Sequence, residues 1–368
     1  MVVNSNVVSK RPDGGKSKSA SSKWWCGLFV MVGIGFLVSF LLSKHYSCAR
    51  KTNWVAGAWK HRALFPLTLN ELLASPSSEI EHCDIALINL VCAQGLPGAE
   101  ELNATNCLLT LDEWARHVQV ETERNLHQFR DHPTDFYNSE GYFRMLMMSV
   151  VMYEDYGIRY NPARIVMPGN VDPNDHFFAD SRDVFLHGLI GDRRMGTCSS
   201  MPVLYIAIGR RLGYPLKLAT TKAHLFIRWE SDTDYFDVEA TGKGMNRYDD
   251  EHFKQWPYPV TDAEIRTEGF LKSLTVSEEL AVFLSLRGNC LKEVGRQKEA
   301  AECYAKALKF APGWNAYHAL LADTEAINFS SPPAAKYVET SQSSGPAGME
   351  IPGAVAPDPN PLKQMNGQ

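Results

Sequence analysis

A cysteine, a histidine and two carboxylates follow one another in the central part of the chain. Cys198 lies in the sequence GTCSS, His224 begins the run HLFIRW, and Asp237 and Glu239 lie in the run YFDVEA. A thiolate can attack a carbonyl carbon when an imidazole takes up its proton and a carboxylate orients that imidazole. The order and types of these residues therefore predict nucleophilic cysteine chemistry on an acyl group.

The residues after Cys198 have the pattern of a buried helix. Apolar residues fill most of a helical surface between positions 203 and 212, and Gly213 is a stop signal. This pattern predicts that Cys198 lies in the first helical turn, with Thr197 or Ser199 as the cap. The unpaired N–H groups of a helix N-terminus stabilise negative charge, so they would favour a thiolate and could bind an oxyanion.

The histidine and the two acids are predicted to lie on a β-hairpin. Its strands would be 224–229 and 235–240, separated by a polar turn. Asp237 and Glu239 are two residues apart and share a face, so either could orient His224, and spacing alone does not choose between them. Taken singly, a cysteine or a histidine in such a setting is usually structural, so the prediction rests on the ordered set.

The sequences GTC, RRLGYP, AHLFIRW and FDVEATGKG occur in this order, and this part of the chain resembles the transglutaminase-like superfamily. The usual pattern there is Gly-x-Cys, a helix ending Leu-Gly-x-Pro, a strand beginning at His and a strand ending Asp-Pro-Thr; residues 180–245 match it. The resemblance implies that Cys198 is the nucleophile and His224 the base. It gives Glu239 the acid role, because the letters EAT stand where Asp-Pro-Thr would be. The departure from Asp leaves Asp237 as a rival.

A closer resemblance is to the SirB1-like branch, through the sequences GLPGAEEL, DSRDVFLHGLI and AHLF. In that branch a helical region precedes the core and tetratricopeptide-like helices follow it. The resemblance implies an α+β, papain-like core and gives the chemistry more than the substrate. Acyl transfer through a cysteine needs no cofactor, and we expect a protein or peptide substrate. Many members lack the catalytic cysteine, so a non-catalytic, membrane-anchored scaffold or interaction protein is the alternative. The presence of Cys198 favours the enzyme.

The C-terminal region is similar to one tetratricopeptide repeat. The consensus positions of the repeat are occupied by Gly288, Ala300, Tyr304, Ala307 and Pro312. Residues 314–326 would supply one further helix. Because a single repeat cannot bury its own face, we favour packing on the catalytic domain over a groove for a protein partner.

Composition and patterning divide the chain into seven segments. They are a disordered tail (1–23), a transmembrane anchor (24–43), a linker (44–79), a helical lobe (80–160), the catalytic core (161–276), tetratricopeptide-like helices (277–328) and a second disordered tail (329–368). Apolar spacing predicts two helices across 85–120, separated by GLPGAEELN, and another across 140–156. A surface loop over 161–179 and a short helix over 180–190 should follow.

The anchor is predicted from an uncharged apolar run at 24–43, which is long enough to cross the hydrocarbon core of a bilayer. A cleaved signal peptide is the competing interpretation, but the run ends in SKHY and not in small residues. Basic residues flank both sides almost equally. The nearest charges slightly favour a cytoplasmic N-terminus, which would place the catalytic domain outside the cytoplasm.

Overall charge and cysteine spacing argue against other classes of function. The formal net charge is −5, whereas nucleic-acid-binding proteins usually present a basic face. The histidines and cysteines show no CxxC or HExxH spacing, so a zinc site is not indicated. A chain of this length does not need disulfides, and we expect most of its eight cysteines to be reduced core residues.

Overall fold

The computed structural model describes residues 68–165, 176–242 and 245–330. It begins with two short helices, α1 (Leu69–Ala74) and α2 (Ser77–Ile80). The prediction of a linker is therefore wrong for residues 69–79. Thr68 and Glu71 form a capping box at α1, and α1 buries Leu72 while α2 buries Ile80. The sequence carries the capping signal, but each helix is too short to show an apolar period.

Three longer helices form the predicted helical lobe. They are α3 (Ile85–Ala93), α4 (Ala104–Asp131) and α5 (Glu140–Val150), and the last continues into a π-helical turn, Val151–Asp155. The structure thus confirms two helices separated by GLPGAEELN, although α4 extends well beyond the predicted end. All nine residues of α3 are buried, so this helix lies at the centre of the lobe.

The segment that carries Cys198 lies between short elements. Strands β1 (Arg159–Tyr160) and β2 (Met195–Gly196) pair in parallel. Between them, the single helix expected over 180–190 is two separate turns, α6 (Ser181–Val184) and α7 (His187–Ile190). Helix α8 (Met201–Arg211) follows β2. It begins after Cys198, with Pro202 in its first turn, so the prediction that Cys198 lies within that turn is wrong by three residues.

A four-stranded antiparallel sheet follows α8. Its strands, in spatial order, are β3 (Leu216–Thr221), β4 (His224–Glu230), β5 (Tyr235–Glu239) and β6 (Asn246–Tyr248). The β4–β5 hairpin is confirmed, whereas β3 and β6 were not expected. Helix α8 contacts β3 and β4.

The two faces of this sheet contribute to two separate clusters. One face supplies apolar residues, among them Leu218 and Ile227, to the main core of the protein. The other places Phe226 against Phe253, which lies in α9 (Asp250–Gln255). A further short helix, α10 (Asp262–Glu268), follows. Helices and an antiparallel sheet occupy different parts of the sequence, so the fold is α+β.

The C-terminal region forms three helices, α11 (Val276–Glu293), α12 (Gln297–Phe310) and α13 (Asn315–Ser330). Gly288 of α11 lies directly against Tyr304 of α12, since a Cβ at position 288 would be 2.4 Å from the tyrosine ring. Helix α11 also packs against α3. Arg287 of α11 donates hydrogen bonds to the carbonyl oxygens of Cys92 (2.7 Å) and Gln94 (2.6 Å). The C-terminal helices therefore pack on the helical lobe.

Several predictions fall partly or wholly outside the described residues. The predicted membrane span and the two predicted tails lie there, apart from residues 329 and 330, which belong to α13. Residues 166–175 of the predicted surface loop are also outside. Within the described ranges, none of the helices is long and apolar enough to cross a membrane. Four cysteines in those ranges are buried and unbridged, as expected: Cys83, Cys92, Cys290 and Cys303.

Candidate active site

Cys198 lies in the turn that leads into α8. The carbonyl oxygen of Thr197 accepts hydrogen bonds from the amides of Ser200 (3.1 Å) and Met201 (3.0 Å). The hydroxyl of Thr197 accepts a hydrogen bond from the amide of Ser199 (3.3 Å), within the turn that precedes the helix. The N-cap of α8 is Ser200, which makes no side-chain capping hydrogen bond, so the prediction that Thr197 or Ser199 caps the helix is wrong. Cys198 itself is partly exposed.

Asp183 holds this turn in place from the neighbouring helix α6. Its backbone carbonyl accepts hydrogen bonds from the hydroxyls of Thr197 (2.7 Å) and Ser200 (3.3 Å). Its carboxylate, which is almost completely buried, accepts three more, from Asn161 (2.8 Å), Arg164 (2.8 Å) and Arg193 (2.6 Å). One residue thus connects the cysteine turn to the segment after β1.

His224 begins β4 and is buried between Cys198 and Glu239. Its Nε2 atom lies 2.6 Å from Oε2 of Glu239. The thiol of Cys198 lies beside the same imidazole and interacts with it. Because Nε2 faces the carboxylate, Nδ1 is the nitrogen left for the sulfur. The structure therefore brings together a thiol, an imidazole and a carboxylate whose residues are separated along the chain, as the ordered motifs predicted.

Glu239 has hydrogen-bond partners on both of its oxygens. Oε2 faces His224, and Oε1 accepts from the backbone amide (2.8 Å) and the hydroxyl (2.5 Å) of Thr241. The imidazole also packs against two aromatic rings. Phe253 stacks at 6.2 Å between ring centroids, and Trp256 meets the ring edge-on at 4.7 Å. These contacts fix the orientation of the His224 ring.

The protonation of the pair follows from this environment. Burial by itself would lower the pKa of His224, but the charge of Glu239 and the interaction with Cys198 outweigh burial and raise this pKa to about 10. Burial by itself would raise the pKa of Glu239, but His224 and Thr241 lower it. At neutral pH the pair is therefore an imidazolium and a carboxylate.

Asp237 lies elsewhere on the sheet and forms an ion pair with Arg228. The Arg228 guanidinium donates to both oxygens of Asp237, from Nε at 2.7 Å and from Nη2 at 3.1 Å, and it also contacts Asp250. Burial raises the pKa of Asp237 to about 6, against the opposing effect of Arg228. The alternative in which Asp237 orients His224 therefore does not fit this structure.

The sequence analysis missed several residues of the site. Thr241 is the last residue of the EAT motif, and its contact with Glu239 could have been predicted from that position. Tyr160 lies far upstream, yet it is close enough to Cys198 and Glu239 for both to raise the pKa of its hydroxyl, after burial. Strand β1, on the lobe side of the predicted boundary at 160/161, pairs with β2 beside the cysteine turn, so the two predicted segments are in contact there.

Comparison with protein-family models, with curated proteins and with solved structures finds nothing that matches this chain. The resemblance to the transglutaminase-like superfamily therefore rests on the motifs quoted above. The function must be argued from the chemistry of the site, which joins a partly exposed thiol to a buried and charged imidazole–carboxylate pair.

Proposed function

We propose that this chain is a membrane-anchored, cysteine-dependent enzyme that acts on an amide through a thioester intermediate. The observation that carries the proposal is the position of His224, which contacts the Cys198 thiol on one side and the buried Glu239 carboxylate on the other. In the proposed reaction Cys198 is the nucleophile, His224 the base and Glu239 the orienting acid. Residues 24–43 are the proposed anchor.

In the first half-reaction the sulfur of Cys198 attacks the carbonyl carbon of the amide. The imidazolium of His224 stabilises negative charge on the sulfur before the attack. The carbonyl oxygen becomes an oxyanion, for which the amide N–H of Cys198 is a suitable donor. His224 then gives its Nδ1 proton to the leaving nitrogen, the C–N bond breaks, and the acyl group remains on sulfur as a thioester.

In the second half-reaction a nucleophile attacks the thioester carbonyl and gives its proton to His224. The C–S bond then breaks, the acyl group leaves on the new nucleophile, and Cys198 is released as a thiolate beside the His224 imidazolium. Water would make the protein a peptidase or amidase, whereas an amine would make it a transglutaminase-like acyltransferase. Glu239 keeps its charge throughout and holds the imidazole in one orientation, the role that an orienting carboxylate has in related triads. Both halves use the same three side chains.

The test is selective alkylation of the folded protein with iodoacetamide near pH 6, read by peptide mass spectrometry. Cys198 should react first because His224, held by Glu239, lies beside its sulfur as the proposed base. Cys107 is the internal control, since it is also partly exposed, has no neighbouring base, and burial raises its pKa to about 11. His224→Ala should slow the labelling of Cys198 and leave that of Cys107 unchanged.

The alternative is a non-catalytic, membrane-anchored scaffold that uses the same fold. It predicts that Cys198 reacts no faster than Cys107 in a well-folded sample, and that His224→Ala changes neither rate. Cys198→Ala serves as the assignment control, because it should abolish the fast labelling while the circular dichroism spectrum stays the same. An unreactive Cys198 would lead us to abandon the enzyme for the scaffold.

A further inference from the structure

Asp183 binds the segment that carries Cys198 at several points. Its backbone carbonyl accepts hydrogen bonds from the hydroxyls of Thr197 (2.7 Å) and Ser200 (3.3 Å). Its carboxylate accepts a hydrogen bond from Nη2 of Arg193 at 2.6 Å. Arg193 precedes the cysteine and Ser200 follows it, so one residue of α6 holds this segment on both sides of Cys198.

The carboxylate of Asp183 also holds the residues that directly follow β1. Its Oδ1 atom accepts from the side-chain amide of Asn161 (2.8 Å), and its Oδ2 atom accepts from Nε of Arg164 (2.8 Å). The backbone amide of Asn161 donates to the carbonyl oxygen of Gly196 (2.8 Å), next to the β1–β2 pair. The carboxylate therefore reaches the cysteine turn through the neighbouring strand as well as through Arg193.

The hydrogen bonds of this carboxylate depend on its negative charge. Three donors share its two oxygens, and the Asp183 side chain is only 3% exposed. An ionised carboxylate only accepts hydrogen bonds, whereas an amide of the same shape turns one acceptor into a donor. With donors on both oxygens, either orientation of that amide would set an NH₂ group against another donor. Loss of the charge should therefore loosen the contacts around the cysteine turn.

We propose that Asp183 is a positioning residue for the reaction of Cys198, because it fixes the turn that keeps the sulfur within reach of His224. Asp183 takes no part in bond making and acts only through the residues that it binds. This inference rests on the proposed function, since it concerns how the same nucleophile is held. Reacting atoms must be aligned closely, and a misplacement of about 1 Å can slow a reaction by about 10²-fold.

The test compares Asp183→Asn with Asp237→Asn in the full chain. The two changes are matched, because each removes a buried carboxylate bound by arginine: Arg164 and Arg193 in one case, Arg228 in the other. Turnover of 4-nitrophenyl acetate is measured per folded molecule. We expect Asp183→Asn to lower kcat by about 10²-fold with little change in KM. Asp237→Asn should leave both constants nearly unchanged.

A pair of changes at Thr197 gives a second measurement if Asp183→Asn does not fold. Thr197→Val keeps the shape of the side chain but removes the hydroxyl that donates to the Asp183 carbonyl and accepts from Ser199. Thr197→Ser keeps that hydroxyl. We expect Thr197→Val to lower kcat by about tenfold, because only some of the contacts of the turn are lost, and Thr197→Ser to retain most of the activity.

The outcomes separate this inference from the proposed function. If Cys198 of the wild type turns over the ester but Asp183→Asn has a normal kcat, the inference alone is wrong. Equal losses in Asp183→Asn and Asp237→Asn, or equal kcat values for Thr197→Val and Thr197→Ser, would also overturn it. A change confined to KM would do the same, because it would give Asp183 a role in substrate binding. If wild-type Cys198 reacts with neither the ester nor iodoacetamide, the proposed function and the inference fall together.

Discussion

The imidazole of His224 is held by a charged partner and by aromatic rings at the same time. Glu239 supplies the charge, Thr241 fixes Glu239, and Phe253 and Trp256 contact the ring. A buried imidazolium is stable only when it is paired, because burial of an isolated charge is costly. At the scale of single residues, Glu239 is therefore the side chain on which the charge of His224 depends.

Replacing the two acids in turn should separate their roles. Glu239→Gln removes the charge that faces His224, and loss of an orienting acid should lower turnover of 4-nitrophenyl acetate by roughly 10²–10⁴-fold. Asp237→Asn should leave the activity per folded molecule nearly unchanged. It should lower thermal stability, because Arg228 loses its buried partner. If Asp237→Asn were the more damaging change for turnover, Asp237 would take the acid role.

The His224–Glu239 pair should also make stability depend on pH. The pKa of His224 is raised from 6.5 to about 10 in the folded protein, so its stabilising effect is complete below pH 6.5 and is lost as the pH rises towards 10. The pKa of Glu239 is lowered, so on the acid side the effect disappears as the pH falls below the ordinary value of 4.5. The pKa shifts of His224 and Glu239 arise from the same interaction, so its contribution to the free energy of unfolding is counted once.

The measurement is urea unfolding of the wild type and of His224→Gln across this range. The difference in their free energies of unfolding should be largest near pH 6 and should shrink steadily towards pH 10. A difference that stays constant with pH would show that His224 contributes packing and no charge.

At the scale of elements, the sequence predicted those that carry a long apolar period or a clear turn. The β4–β5 hairpin and the helix pair around GLPGAEELN are examples. Strand β3 was missed because five of its six residues are buried, which removes the alternation that identifies a strand. Strands β1 and β2 have two residues each and cannot show a period. The start of α8 could have been predicted from the sequence, because Pro202 is typical of a first helical turn.

The site was predictable to the same extent. Cys198, His224 and Glu239 belong to motifs with a fixed order, so the sequence alone placed them together. It could not choose between Glu239 and Asp237, because strand period puts both on one face and only the position of Arg228 separates them. Tyr160 and Cys198 come close together from distant parts of the chain, and no local pattern reports such a proximity.

The close contact between α11 and α12 gives a prediction at this scale. A Cβ at position 288 would lie 2.4 Å from the ring of Tyr304, which is fully buried and cannot move aside. Gly288→Ala should therefore destabilise the protein by about 1–3 kcal/mol, the usual cost of overpacking. Gly313→Ala is the matched control, because a Cβ there has nothing within 4 Å. Chemical denaturation measures both, and equal effects would contradict the contact.

At the scale of the whole molecule, one buried ion pair connects the C-terminal helices to the helix that follows the cysteine. Arg210 of α8 donates to both oxygens of Glu279 in α11, at 3.0 and 2.5 Å, and Glu279 is fully buried. Burial raises the pKa of Glu279 even with Arg210 present. The C-terminal helices are therefore joined to the proposed catalytic core by a buried ion pair.

Removing the arginine tests this connection. Arg210→Ala leaves a buried carboxylate without its guanidinium partner and should cost about 3 kcal/mol of unfolding free energy near pH 8. The cost should be smaller near pH 5, because the folded protein can then protonate Glu279 and remove the buried charge. Arg210→Met combined with Glu279→Gln should recover part of the loss. A cost that does not vary with pH would mean that Glu279 is not charged in the wild type.

The proposed anchor makes a separate prediction about the complete chain. Residues 24–43 should keep the full-length protein in the membrane fraction during alkaline carbonate washing, because an apolar segment of that length is stable in the bilayer core. A chain that starts near residue 50 should stay in the supernatant. Release of the full-length protein by the wash would show that the segment does not span a membrane.

Both carboxylate oxygens of Glu239 have hydrogen-bond partners, and this affects whether water or an amine would be the second nucleophile of the proposed reaction. One carboxylate oxygen contacts His224 and the other accepts from Thr241, so the carboxylate cannot rotate with the imidazole. A ring flip that exchanged Nδ1 and Nε2 would therefore break the contact with Glu239. Every proton must then enter and leave on the side that faces the sulfur. If Cys198 forms the proposed thioester, we expect water and an amine to be selected by their size and shape in front of it, because both would give their proton to the same nitrogen.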